Sequence, residues 1–197
     1  MDSSPHPTAP SFPVLETKRL TLREITLKDA GFWLRNFSDP DVVQLTAYEP
    51  PVDLDAAKAE LIQFTVRPFE QGTGIRWGIS LRPSPDLLGT LGYHQWVREG
   101  GNHARIGYEL MPEHRRQGVM TEAMEAILTY GFDEMKLNRV EALIDPVNTA
   151  SIRLVEGLGF HRDGVLRENT HFRGRFIDDA VYSVLAREWR STQEAKR

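Results

Sequence analysis

Residues Ile106 to Ala123, IGYELMPEHRRQGVMTEA, constrain the fold more than any other stretch. Ile106, Tyr108 and Leu110 alternate with Gly107 and Glu109, the period of two of a pleated strand. Pro112 has no N–H to give to a ladder and ends the pairing. A basic loop follows, His114-Arg115-Arg116-Gln117-Gly118. Met120, Ala123, Met124, Ile127 and Leu128 then recur at helical spacing. A strand thus runs through a turn into a helix, whose first N–H groups have no partner inside it. The helix dipole makes that end partly positive, and Arg115 and Arg116 add full charges. Gly118 lets the backbone approach a ligand with no side chain between. Such a turn suits a pyrophosphate, and it equally suits an ordinary strand–helix joint with solvated arginines. Its spacing fits neither the strand–GxGxxG nor the GxxxxGK[ST] phosphate sites.

The rest of the chain reads as one α/β (α+β) domain. Residues 1–13 hold four prolines and are expected to be a flexible leader. Val14 to Glu24 alternates as a first strand. Thr26 and Asp29 start a helix carrying Ala30, Phe32, Trp33, Leu34 and Phe37, and Asp39-Pro40 ends it. Asp53 caps a second helix through Leu61, Ile62 and Phe64. Phe32, Trp33, Phe37 and Tyr48 either pack the core or line a pocket. Ile75–Arg82 and Leu87–Val97 read as strands, Gly89 and Gly92 marking a bulge or a close backbone approach. Gly100-Gly101-Asn102 makes the hairpin into the Ile106 strand. Arg139 to Asp145 is a strand reached by a right-handed crossover, parallel to the Ile106 strand. Asn148 starts a short helix that Gly159 stops. Two long strands form a closing hairpin, and residues 191–197 read as a polar tail.

Three anchors resemble the GNAT N-acetyltransferases, and together they span residues 14–190. Arg115-Arg116-Gln117-Gly118-Val119-Met120 resembles the acetyl-CoA loop Q/R-x-x-G-x-G/A, departing at Met120. Asn148-x-x-Ser151 through Gly159-Phe160 resembles the N-x-x-S/A helix and G-F of the family. Thr17, Arg19, Leu20, Leu22 and Arg23 at the start are similar to the RimJ/RimL-type branch. So are Gly164 to Glu168, Gly174 to Asp178, Tyr182-Ser183 and Glu188-Trp189 at the end. The resemblance implies a mixed central sheet of about seven strands with flanking helices, splayed between the fourth and fifth. The pantetheine arm of acetyl-CoA would lie in that splay.

The chemistry implied is direct attack of an amine on the acetyl thioester. An α-amine has a pKa of about 8 against about 10.4 for lysine, so a modest base suffices for a protein N-terminus. Glu109 and Glu168 are the base candidates, with His171 as another. Ser151 stands where this branch places a group for the leaving thiolate, since Val155 occupies the place of the usual tyrosine. Leu110, Met111, Arg115, Arg116, Gln117, Gly118, Val119, Met120, Thr121, Asn148 and Ser151 are the expected acetyl-CoA contacts, and an N–H near Leu110 would hold the oxyanion. The expected function is acetyl transfer from acetyl-CoA to a primary amine, foremost a protein N-terminus, a ribosomal protein among the candidates. A small amine and a non-catalytic CoA-binding module are the alternatives.

Composition bounds the partners. The chain has 197 residues, 40% apolar and 26% charged, with a net charge of −4, which argues against binding nucleic acid through bulk charge. The absence of cysteine excludes disulfides, thiolate metal sites and a cysteine nucleophile. None of the six histidines forms an HxxxH or HxH pair, so no metal is expected. With no signal peptide and no membrane-length apolar run, a cytoplasmic protein is expected, as monomer or homodimer.

Overall fold

The computed structural model describes residues 11–43 and 48–195. Most of the expected leader and the centre of the proline-rich stretch after Asp39 lie outside these residues. The central sheet has eight strands rather than about seven. The expected first strand is split into β1 (Leu15–Glu16) and β2 (Leu20–Glu24). The break has a cause: Thr17 and Arg19 turn away from the ladder to bind Glu122 of a distant helix. Residues 11–13 also pack rather than trail, with the Phe12 ring 5.0 Å from Phe69 and the Pro13 carbonyl accepting from Trp77 Nε1.

A 3-10 turn at Leu27–Asp29 leads into α1 (Ala30–Ser38), and Pro40 opens the short α2 (Pro40–Val43). The Asp29 carboxylate accepts from the Thr26 N–H at 2.8 Å, the tie expected at this helix start. Asp53 Oδ1 accepts from Ala56 N–H and caps α3 (Leu54–Leu61), as its sequence position predicts. A π-turn over Ile62–Val66 continues it into α4 (Arg67–Glu70). Strands β3 (Ile75–Leu81), β4 (Leu87–Val97) and β5 (His103–Leu110) pair antiparallel in sequence order. Gly92 has the close approach its sequence suggests: a Cβ there would stand 2.2 Å from the Ile75 carbonyl oxygen.

Helix α5 (Val119–Asp133) crosses over to β6 (Arg139–Ile144), which runs parallel to β5. Then come α6 (Thr149–Gly157), the hairpin β7 (His161–Phe172) and β8 (Arg175–Leu185), and α7 (Ala186–Ala195). The strand order is β1-β2-β3-β4-β5-β6-β8-β7. Residues 191–195, expected as tail, are helical, and Trp189 on α7 is buried in the core.

Two apolar clusters cover the two faces. The larger joins α5, α6 and α7 to Trp77, Leu91, Ile106, Val140, Ala142, Ala180 and Tyr182. The smaller gathers Phe32, Trp33, Phe37, Ala57 and Leu61 with Ile25 and Leu87. A Cβ on Gly78 would meet Leu87 and Ile25, while its neighbours Trp77 and Ile79 belong to the larger cluster. The pleat therefore puts α1–α3 on the sheet face opposite α5. Phe32, Trp33 and Phe37 are core residues, and half-buried Tyr48 packs against them.

Candidate active site

The site follows from a ladder that stops. Strands β5 and β6 pair at His103↔Arg139, Ala104↔Val140 and Arg105↔Glu141, and no further. Beyond these rungs Ile106–Leu110 and Ala142–Ile144 diverge, on either side of a cleft of about 800 Å³. β5 keeps its partner β4 through Leu110, and β6 keeps β8 through Ile144, so each strand loses only the edge that faces the other. The expected splay between these strands is present.

At one end of the cleft lies the turn into α5. Arg116 and Gly118 both adopt positive φ, 59° and 73°. Among the described residues no backbone N–H from Arg116 to Thr121 has a protein acceptor. This fan of donors at a helix start is the feature a diphosphate needs. Arg115 lines the same end, its Nε donating to the Leu110 carbonyl at 3.1 Å. Arg19 braces the turn from behind by donating to the Gln117 carbonyl.

Of the expected contacts, Leu110, Arg115, Arg116, Gly118, Val119, Met120 and Thr121 line the cleft. Asn148 and Ser151 line it from α6. Met111 and Gln117 do not. The Met111 side chain packs against the smaller apolar cluster, and the Gln117 amide donates back to the Glu113 carbonyl. Met120, the departure from the loop pattern, is 8% exposed and belongs to the larger core cluster. A bulky residue is accommodated there because it packs into that cluster at the edge of the cleft.

The pleat sorts the polar groups onto two faces. Tyr108 shares its face with Ile106, toward α6, and its hydroxyl shares a 2.5 Å hydrogen bond with Ser151 Oγ. Burial pushes the Tyr108 phenol up to about 12, with the Ser151 bond pulling the other way. The Asn148 Oδ1 caps α6 by accepting from Ser151 N–H at 3.0 Å, and its Nδ2 has no protein acceptor among the described residues. Glu109 lies on the opposite face, where its carboxylate binds the Arg76 guanidinium and accepts from Thr90 Oγ1 at 2.9 Å.

Glu168 stands elsewhere. It occupies a bulge of β7 between Leu166 and Thr170, with φ 50°, and its exposed side chain is not in the cleft lining. A carboxylate that sequence reasoning missed takes the inner position: Asp179 of β8 is 7% exposed and lines the cleft. Its Oδ2 accepts from Asn169 Nδ2 at 2.8 Å and Thr170 Oγ1 at 2.7 Å. Among the described residues no histidine lines the cleft.

Residues 19–161 match the family described as the Acetyltransferase (GNAT) domain. The chain belongs to the GNAT acetyltransferases. It is similar to the "Uncharacterized N-acetyltransferase YoaA" of Bacillus subtilis (strain 168), 37% identical over 174 residues, or 88% of this chain and 97% of that protein. It is distantly similar to the ribosomal protein uS5-alanine N-acetyltransferase of Escherichia coli (strain K12), 22% identical over 61% of this chain and 62% of that protein. The crystal structure of "a probable acetyltransferases (GNAT family)" from Chromobacterium violaceum ATCC 12472 superposes with a TM-score of 0.80 at 28% identity, covering 96% of this chain and 98% of that one. GNAT enzymes of this fold transfer acetyl groups from acetyl-CoA to amines, so this GNAT domain is an acetyltransferase. Among the described residues no three His, Asp or Glu side chains are grouped to hold a metal ion, and no helix is long and apolar enough to cross a membrane.

Proposed function

We propose that this enzyme acetylates the α-amine of a protein N-terminus, by direct attack on acetyl-CoA within a ternary complex. The observation that carries the reading is the divergence of β5 and β6 beyond Arg105 and Glu141, which joins the donor-rich turn to a carboxylate-bearing face. Bound acetyl-CoA supplies an activated thioester carbonyl. Arg115, Arg116 and the free N–H groups up to Thr121 hold its diphosphate. The open edge of β5 and the Asn148 Nδ2 hold the amide-bearing arm, and an N–H near Leu110 steadies the oxyanion.

The leaving thiolate falls to Tyr108 and Ser151. A phenol near 12 cannot hand its proton outright to a thiolate of pKa about 8.5. The pair therefore stabilises the departing sulfur by donating hydrogen bonds. Among the described residues the acidic side chains that line the cleft, Asp41, Glu109, Asp145 and Asp179, are its carboxylate proton acceptors, which suits an amine with a pKa of about 8 better than a lysine near 10.4. Glu109, tied to Arg76 and Thr90, shapes the field there. The likeness to an enzyme that acetylates ribosomal protein uS5 supports the same acceptor class.

The test is acetyl-CoA titration by calorimetry, then thiol release with peptides bearing a free N-terminal alanine, N-blocked lysine peptides and small amines. Turnover of the free-N-terminus peptides is expected. Turnover of small amines alone would refute the acceptor, and binding without any turnover would leave a CoA-binding module.

A further inference from the structure

Asp179 is a carboxylate with half of its hydrogen bonding left over. Both of its neutral donors, Asn169 Nδ2 and Thr170 Oγ1, bind the same oxygen, Oδ2. Among the described residues Oδ1 has no partner, and no arginine, lysine or histidine lies within ion-pair distance of either oxygen. A buried charge without a counter-charge is costly, and proteins normally pair it. Glu109 across the cleft is so paired, with Arg76. The β7 bulge turns Asn169 and Thr170 onto Asp179, and Asp178 holds that bulge by accepting from the Glu168 N–H. The chain thus invests a distorted strand in orienting one acid and leaves that acid's charge uncompensated.

By the pleat, Asp179 faces away from Ala180 and Tyr182, which belong to the larger core cluster, and so shares the sheet face of Glu109. The two carboxylates flank the splay on the side opposite Tyr108 and Ser151. The other ionisable groups bordering this part of the cleft are Asp145 after β6, Asp41 of α2 and Arg175 at the start of β8. The arginines of the α5 turn and Arg153 lie at the coenzyme end.

We infer that Asp179 is the catalytic residue that receives the acceptor amine in its ammonium form and takes its first proton. The inference rests on the acetyl-transfer reading above. The ammonium docks as the missing counter-charge and gives one proton to the Asp179 carboxylate. The freed lone pair attacks the thioester carbonyl, the N–C bond forms and the C–S bond breaks. The second amine proton leaves on the coenzyme sulfur as thiol, and Asp179 returns its proton to solvent. Ammonium and thioester thus become amide, thiol and one released proton.

The test is the pH dependence of kcat/KM for an N-terminal-alanine hexapeptide and for glycinamide, in wild type, D179N and D179E. An enzyme that binds the ammonium keeps kcat/KM level from about pH 6 to the amine pKa of about 8, and loses it above. D179N can accept only neutral amine, so its kcat/KM rises about tenfold per pH unit up to about pH 8. D179E restores the wild-type shape, and all three proteins bind acetyl-CoA within about twofold of one another. A wild-type profile that itself rises tenfold per unit below the amine pKa overturns the inference, and it does so even if D179N fails to fold. So does a D179N profile superposable on wild type, or a D179N protein that has lost acetyl-CoA binding. Turnover of glycinamide without the peptide would sink the N-terminus reading while leaving Asp179 open to the same profile.

Discussion

Gly118 offers a sharp test of the phosphate turn, because a second glycine supplies its own control. Gly118 has φ 73°, where an L-residue costs about 1–2 kcal/mol. A Cβ there meets only Arg19 Nη2, at 3.4 Å, the end of a flexible side chain. G118A should therefore cost backbone strain and little clash. Gly100, in the β4–β5 hairpin, has φ 77° and open space around its Cβ position, so G100A carries the same strain away from the cleft. If the G118A turn relaxes, its fan of N–H groups must be rebuilt when acetyl-CoA binds, and affinity falls by the strain released, about fivefold to thirtyfold. The assay is calorimetric titration of acetyl-CoA into wild type, G118A and G100A, beside their thermal melts. Both variants should melt a few degrees lower, by about 2–4 °C per kcal/mol for a chain of this size. Only G118A should lose affinity. Equal affinity for G118A and wild type, or equal loss in both variants, refutes the role given to the turn.

Y108F removes a hydroxyl from the leaving-group side and should lower kcat by about tenfold, with acetyl-CoA affinity unchanged by calorimetry. W189A should destabilise the fold by about 3–5 kcal/mol in urea melts, since Trp189 is 3% exposed and α7 docks through it. Partial burial works against the charge of Glu122. Hydrogen bonds from Thr17 and Arg19, with the Arg19 charge, nevertheless hold its carboxyl below the usual range. Its folded pKa is depressed, so its stabilising effect is present above the unfolded carboxylate pKa and is lost as pH falls through the folded one. Urea midpoints between pH 3 and 6 should fall less steeply in E122Q than in wild type, and added salt should shrink the difference.

Much of this architecture was legible because it is local. The Asp53 and Asn148 caps, the Gly100 hairpin and the apolar stripe of α5 each follow from short-range rules. The divergence of β5 from β6 was different. Residues 106–110 alternate just as a fully paired strand would, so only a resemblance could suggest it. Glu168 was a base candidate because the resemblance sets the end of its strand beside the acceptor, and a strand's faces, counted by twos, are ordinarily carried forward unbroken. The bulge after Leu166 interrupts that counting and leaves Glu168 outside. Asp179 left a weak signal. Adjacent Asp178 and Asp179 in one strand must point to opposite faces, so one of them had to turn inward. The break between β1 and β2 was hidden for another reason, since its cause, Glu122, lies a hundred residues away in sequence.

Three rungs are all that tie the parallel strands together, and the consequence is mechanical. The molecule is in effect two smaller sheets, β1–β5 and β6–β8, hinged at Arg105 and Glu141 and strapped by α5. A guest lying in the gap with amides of its own would restore the absent hydrogen bonds and mend the torn seam. Loading with coenzyme should then knit the two halves into a single stiff body, so that the acceptor face takes its working shape only once the acetyl donor is aboard.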